Sequence, residues 1–383
     1  MASGKTFDVG AMGAYFESLS DPRHTRNRLH FLTDVIVICI CAIVSHAPGP
    51  TAIHRWALAR QDWLKRFLRL PNGIPSRDCI RRVLIALRPE AFQKCFEAWL
   101  QDIIEPEESG SPRFVAIDGK HCRGSHERSR GLGALDIVSA WDTELGIALG
   151  QAATEDKSNE ITTIPLVLAE LDLLNTIVTI DAIGCQKAIV EQIDKGRGAY
   201  VIAVKGNQPK LHEAVREVVA DQIEKAQEEM NYQAYETKDE GHGRVDERAY
   251  GVVKLPADFP LKKDWRSIKA VGYATRHTID KEGNESFDTR FYILNRRMRP
   301  KQFAQAVRGH WAIEAMHWVL DVNFREDEQQ AAERNLVNNL SWLRRFAVSL
   351  LKRGQDPKKE SIRGRMQMSG WNTDFLEKVL AGH

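Results

Sequence analysis

Three carboxylates stand out by position. Asp118 and Asp181 each close a short apolar run (113–118 and 175–181), and Glu314 sits in a strongly helical stretch that opens at Pro300. A carboxylate at the C-terminal end of a strand stands at the rim of a sheet, where α/β proteins place their ligands. Two neighbouring strands ending this way would set two carboxylates side by side, and each raises the other's pKa unless a cation shares them. Mg²⁺ suits such a pair, because it takes a few carboxylates, several waters and phosphate oxygens. An Asp directly after a strand also serves simply to open a turn. On the helix, His310, Glu314, His317 and Asp321 share one face, flanked by Val307, Trp311 and Trp318. That stripe fits a helix packed over a polar site. Glu314 and His317 also read as Glu-x-x-His, but a di-iron bundle needs a second copy, and the sequence has none. Zinc on His310, Glu314 and His317 finds no second His/Cys cluster in support. Three carboxylates on two strands and a helix make a two-metal phosphoryl-transfer site, with ions about 4 Å apart serving the attacking and leaving oxygens.

The elements that must position these acids are legible in outline. Residues 1 to about 105 read as helical, and the polar, Pro/Gly-rich segment 105–112 reads as a linker. Strands follow at 113–118, 135–141, 145–152, 175–181 and 199–204, with helices from about 160 to 171 and 186 to 194 between them. Such an order describes a mixed α/β sheet. A charged amphipathic helix covers about 210–231, and 232–299 reads as a β-rich insertion. Helices return at about 300–324 and 331–352. The expected organisation is 1–108, a helical N-terminal domain suited to binding DNA ends; 112–210 with 300–355, the catalytic domain; 211–299, helix plus insertion; and 356–383, a C-terminal tail.

Composition bounds the alternatives. Of 383 residues, 43% are hydrophobic, which supports a sizeable core and excludes global disorder. Lys plus Arg is 54 against 52 for Asp plus Glu, a net charge of +2 that excludes a histone-like polycation. The longest apolar run, Val35 to Val44, is about half of what a bilayer needs, so a buried helix is expected there and no membrane partner. No secretory signal opens the chain. Six cysteines without a Cys-x-x-Cys pair predict reduced thiols and a cytoplasmic protein.

Several blocks then resemble one family. They are Ala116-Ile-Asp-Gly-Lys120, Asp156-Lys-Ser-Asn-Glu-Ile161, Thr179-Ile-Asp-Ala-Ile-Gly-Cys-Gln186, Lys205-Gly-Asn-Gln208, Gly241-His-Gly-Arg244, and His310-Trp-Ala-Ile-Glu314 running on through His317 and Asp321 to Glu326-Asp327. In order and spacing the chain is similar, over nearly its whole length, to the H-repeat-associated (ISAs-type) DDE transposases of bacterial insertion sequences. The resemblance implies a ribonuclease-H-like catalytic domain in which a β-rich insertion separates the second aspartate from the glutamate. It makes Asp118, Asp181 and Glu314 the catalytic, metal-binding acids, with Mg²⁺ as cofactor and Mn²⁺ substituting. It implies hydrolysis at the transposon ends, then attack of the freed 3′-hydroxyl on target DNA, by a homodimer on DNA. Two departures stand beside it. Ala315-Met316 lead straight from the glutamate to His317, where the family often has Asn and one further residue. His310 and Asp321 occupy the positions where related cut-and-paste enzymes carry Arg and Lys.

Lys120, Arg123, Lys157, Lys205, Asn207, Arg308 and His310 are the expected DNA contacts, because each lies close in sequence to an acid or on the loop after a strand. Among them, Lys205 and Asn207 are favoured, since their loop should sit at the same sheet edge as the acids. Two other readings share these features: a Mg²⁺-dependent nuclease that cuts without joining, and a domesticated DNA-binding protein without activity. Near-neutral net charge then predicts a patchy surface and salt-dependent binding to DNA ends.

Overall fold

In the computed structural model, the structure describes residues 9–103, 110–154, 159–228, 234–241, 243–356 and 359–383. Lys157 and residues 105–109 of the expected linker lie outside that set. Nine strands form one sheet: β1 (Arg113–Cys122), β2 (Leu135–Asp142), β3 (Ile147–Ala153), β4 (Thr176–Ile180), β5 (Ala199–Val204), β6 (Tyr235–Gly241), β7 (Arg244–Lys254), β8 (Ala270–Ile279) and β9 (Glu285–Leu294). Their order is β3-β2-β1-β4-β5-β9-β8-β7-β6. The β1 to β3 meander is antiparallel, and β4 and β5 join it in parallel with β1. The insertion is not a separate layer. Strand β9 pairs antiparallel with β5, so β6–β9 extend the catalytic sheet. The alternating charges of this stretch lie mainly on the outer parts of its strands, while Val271, Ile293 and Leu294 are buried.

Alternation along the strands divides the sheet's two faces. Val115, Ile117, Val178 and Ile180 pack with α6 (Glu160–Ala169), α7 (Lys187–Lys195) and α8 (Pro209–Glu228). Phe114, Ile177 and Val201 pack on the other face with Phe303, Ala306 and Val307 of α9 (Pro300–Val322). Pro300 sits in the first turn of α9, where its missing N–H costs nothing.

The N-terminal helices are α1 (Leu32–Val44), α2 (Pro50–Ala59), α3 (Gln61–Leu64), α4 (Arg77–Ala86) and α5 (Pro89–Ile103). The apolar run 35–44 is wholly buried within α1, and no described helix is long and apolar enough to cross a membrane. These helices share one hydrophobic core with α10 (Arg334–Lys352), α11 (Ile362–Trp371) and α12 (Thr373–Leu380), together with Ile313 and Met316 of α9 and Trp141 of the sheet. The N-terminal helices thus share their core with the C-terminal ones, in which Met366, Leu376, Val379 and Leu380 are completely buried. All six cysteines are free thiols.

Candidate active site

Register brings the two aspartates level. Strand β1 runs parallel to β4, with Ile117 opposite Ile180, so the next residue on each strand is an aspartate. Only Asp181 follows a strand end. Strand β1 continues to Cys122 because β2 keeps pairing with it, Asp118 standing opposite Ser139. Asp118 is thus the first residue of β1 beyond the end of β4. Both aspartates share parity with residues that face α9, Phe114 and Ala116 on β1 and Ile177 and Thr179 on β4.

Helix α9 crosses the two strands at this level. His310 Nδ1 lies 3.0 Å from the Thr179 hydroxyl on β4, and His317 Nδ1 lies 3.5 Å from Asp118 Oδ2 on β1. Glu314 lies between these two histidines on the same face, four residues after one and three before the other. Asp181 opens a short 3₁₀ turn (Ala182–Gly184) and accepts the Ile183 N–H at 2.9 Å. A cleft of about 420 Å³ is lined by Asp181, Lys205, Arg290, His310, Trp311 and Glu314. Trp311 and Trp318 are 49% and 61% exposed on either side of Glu314.

The electrostatics follow from burial and like charge. Burial first, then Asp181, Glu160 and Glu314, push the Asp118 carboxyl up to about 7. Burial, aided by Asp181, also raises Glu314, against the pull of Arg290 and Lys205. Burial lowers His310, and it lowers His317 well below the ordinary histidine value with help from Arg345 and Lys120. Both imidazoles therefore stay neutral near pH 7. Among the described residues no three His, Cys, Asp or Glu side chains already converge to hold an ion. The donor chemistry nonetheless fits a hard divalent cation, since the acids supply oxygen only and repel one another through a partly dry space.

Residues 109–351 match the family model described as "Transposase DDE domain", and residues 14–100 match "DDE_Tnp_1-associated". The chain belongs to the transposase DDE domain family. Two Escherichia coli relatives carry a transposase assignment in their names. YncI of strain O157:H7 is 36% identical over 96% of this chain and 93% of its own length. The H repeat-associated YhhI of strain K12 is 34% identical over 95% of this chain and 96% of its own. Among solved structures, a cryo-EM piggyBac transposase synaptic complex with hairpin DNA aligns at a TM-score of 0.41 with 10% identity, covering 98% of this chain and 82% of that one.

In this transposase-family chain the basic residues singled out from sequence divide into two sets. Lys205 is exposed and lines the cleft. Arg123 is 79% exposed and lies 3.4 Å from Asp327, and Arg308 is exposed and lies 3.1 Å from Asp239. The other set is already engaged. Lys120 is 6% exposed and reaches Asp321 at 2.7 Å and Asp327 at 3.1 Å. Its position on the α9 side of β1 buries it among acids. Asn207 donates to the Ala182 carbonyl at 2.6 Å, and Gln208 to Cys185 at 3.0 Å, so this loop props the turn that carries Asp181. His310 is held by Thr179. Asp321 is taken up by Lys120.

Sequence reasoning missed Glu160, which it placed only at a helix start. A Cβ on Gly119 would overlap the Glu160 carboxyl group, and burial together with Asp181 and Asp136 raises Glu160. Its signal in the sequence was its place in the Asn159-Glu160-Ile161 block, which names no geometry.

Proposed function

We propose that this protein is the DNA transposase of an insertion sequence, cutting the element's ends and joining the freed 3′-hydroxyls to target DNA with Asp118, Asp181 and Glu314. One observation carries the reading: parallel register sets Asp118 and Asp181 level on neighbouring strands, and α9 crosses them with Glu314 between two anchored histidines. The strand order β3-β2-β1-β4-β5, with the first three antiparallel and β4 and β5 parallel to β1, supports a ribonuclease-H-like catalytic core. Asp118, Asp181 and Glu314 would hold Mg²⁺, or Mn²⁺ in its place. Bound there, the ions would stabilise charge on the attacking and leaving oxygens of a phosphodiester. His310 and His317 fix α9 against β4 and β1 and so set where Glu314 stands. Lys205 and Arg290, beside Glu314 in the cleft, would meet backbone phosphate, and Arg123 and Arg308, both exposed, belong to the same proposed set. Lys157 belongs to the same proposed set. The substrate is the element's terminal inverted repeats and target DNA, engaged by a homodimer in the bacterial cytoplasm.

The test is cleavage of the element's own end DNA with Mg²⁺, followed by strand transfer from pre-cut ends. Asp118→Asn, Asp181→Asn and Glu314→Gln should each lower both steps by at least about a hundredfold. Full activity in all three variants would overturn the assignment. Cleavage without any strand transfer by the wild type would reduce it to a nuclease.

A further inference from the structure

Glu160 stands in the first turn of α6, on the opposite face of the sheet from α9. Its carboxyl group lies against Gly119 of β1 so closely that any side chain at 119 would displace it. Gly119 follows Asp118, at the level where β4 has ended and the sheet beside β1 is open. Through that opening the charge of Glu160 acts on Asp118, and the charge of Asp181 acts on Glu160. The charged groups that act on Glu160 are the carboxylates of Asp181 and Asp136, and no Lys, Arg or His among the described residues is paired with it. A glutamate in a first turn is favoured by the helix dipole. That effect explains a solvated carboxylate, but not one folded back over a glycine towards other acids without a paired cation of its own.

We propose that Glu160 is a fourth carboxylate of the divalent-cation site, reaching it from the α6 side past the end of β4. Gly119 is the residue that leaves room for it. The proposal rests on the reading of Asp118, Asp181 and Glu314 as cation ligands. Two segments remote in sequence, one on each face of the sheet, then close on the same ion.

The full-length protein is titrated with Mn²⁺ alone, without DNA, and free Mn²⁺ is read by electron paramagnetic resonance. Glu160→Gln should weaken Mn²⁺ binding by about tenfold or more, and Gly119→Ala, which keeps the carboxylate but moves it, should also weaken it. The exposed Glu224→Gln should bind as the wild type does. Melting in EDTA should show Glu160→Gln at least as stable as the wild type, because the substitution removes repulsion and no ion pair. If Glu160→Gln binds within about twofold of wild type while Asp118→Asn and Asp181→Asn lose binding, Glu160 is only a helix-start residue and the proposal falls, leaving the transposase reading intact. If Asp118→Asn and Asp181→Asn also bind as wild type, the cation site itself falls.

Discussion

At the scale of residues, charge is concentrated behind the acids as well as among them. Glu326 is 3% exposed and lies 3.5 Å from both Arg344 and Arg345 of α10, while Lys120 stands 3.8 Å from its other oxygen. Burial works against the Glu326 charge, but the two arginines and the lysine outweigh it and hold its pKa below the usual glutamate value. Arg345 in turn donates to Ser139 at 2.8 Å, directly across β2 from Asp118. Removing one partner from such a buried group strands the others. Glu326→Gln should therefore cost about 3 kcal/mol or more of unfolding free energy, measured by denaturant titration. A loss within experimental error would mean that water already serves these arginines.

At the scale of elements, the outer strands are tied by one buried acid. Asp246 on β7 accepts from Arg276 and Thr278 of β8 and from Arg248. Burial pushes its carboxyl up, but the Thr278 and Arg276 bonds and the charges of Arg248 and Arg276 outweigh that and hold it down at about 2. A folded-state pKa below the ordinary 3.8 stabilises the protein fully above that value and loses the effect as pH falls through about 2. Acid unfolding followed by circular dichroism between pH 4 and pH 2 should show Asp246→Asn flattening the pH dependence of stability. Equal slopes for variant and wild type would remove Asp246 as the strap. The same outer strands hold α9, since Gly272 of β8 leaves no room for more than a hydrogen against Phe303. An element far from Asp118 in sequence thus helps set where Glu314 lies.

At the scale of the whole molecule, the chain closes on itself. Helix α1 packs against α10 and α11, and the buried side chains of α11 and α12 complete the same core. A chain ending at residue 355 would expose that core and remove the Ser369 carbonyl and the Glu377 carboxylate to which Ser45 and Trp63 donate. Truncation there should give insoluble or dye-binding protein, read by ANS fluorescence and loss of the cooperative melt. A soluble truncated protein melting like the full chain would show that α11 and α12 are dispensable.

The sequence by itself determined the strands that carry the acids, the helix that carries Glu314, and the family, because apolar runs, periodicity and motif blocks are local signals. It also marked the buried run 35–44 as core. What pairs with what was decided only in the tertiary structure. The level placing of Asp118 and Asp181 comes from β1–β4 register, and the continuation of β1 past Asp118 comes from β2. That Asp321 and Asp327, some two hundred residues later, fold over Lys120 is likewise something a local pattern cannot show. The closeness of Glu160 to Gly119 was hidden for the same reason, since space between segments is a property of packing, not of either segment alone.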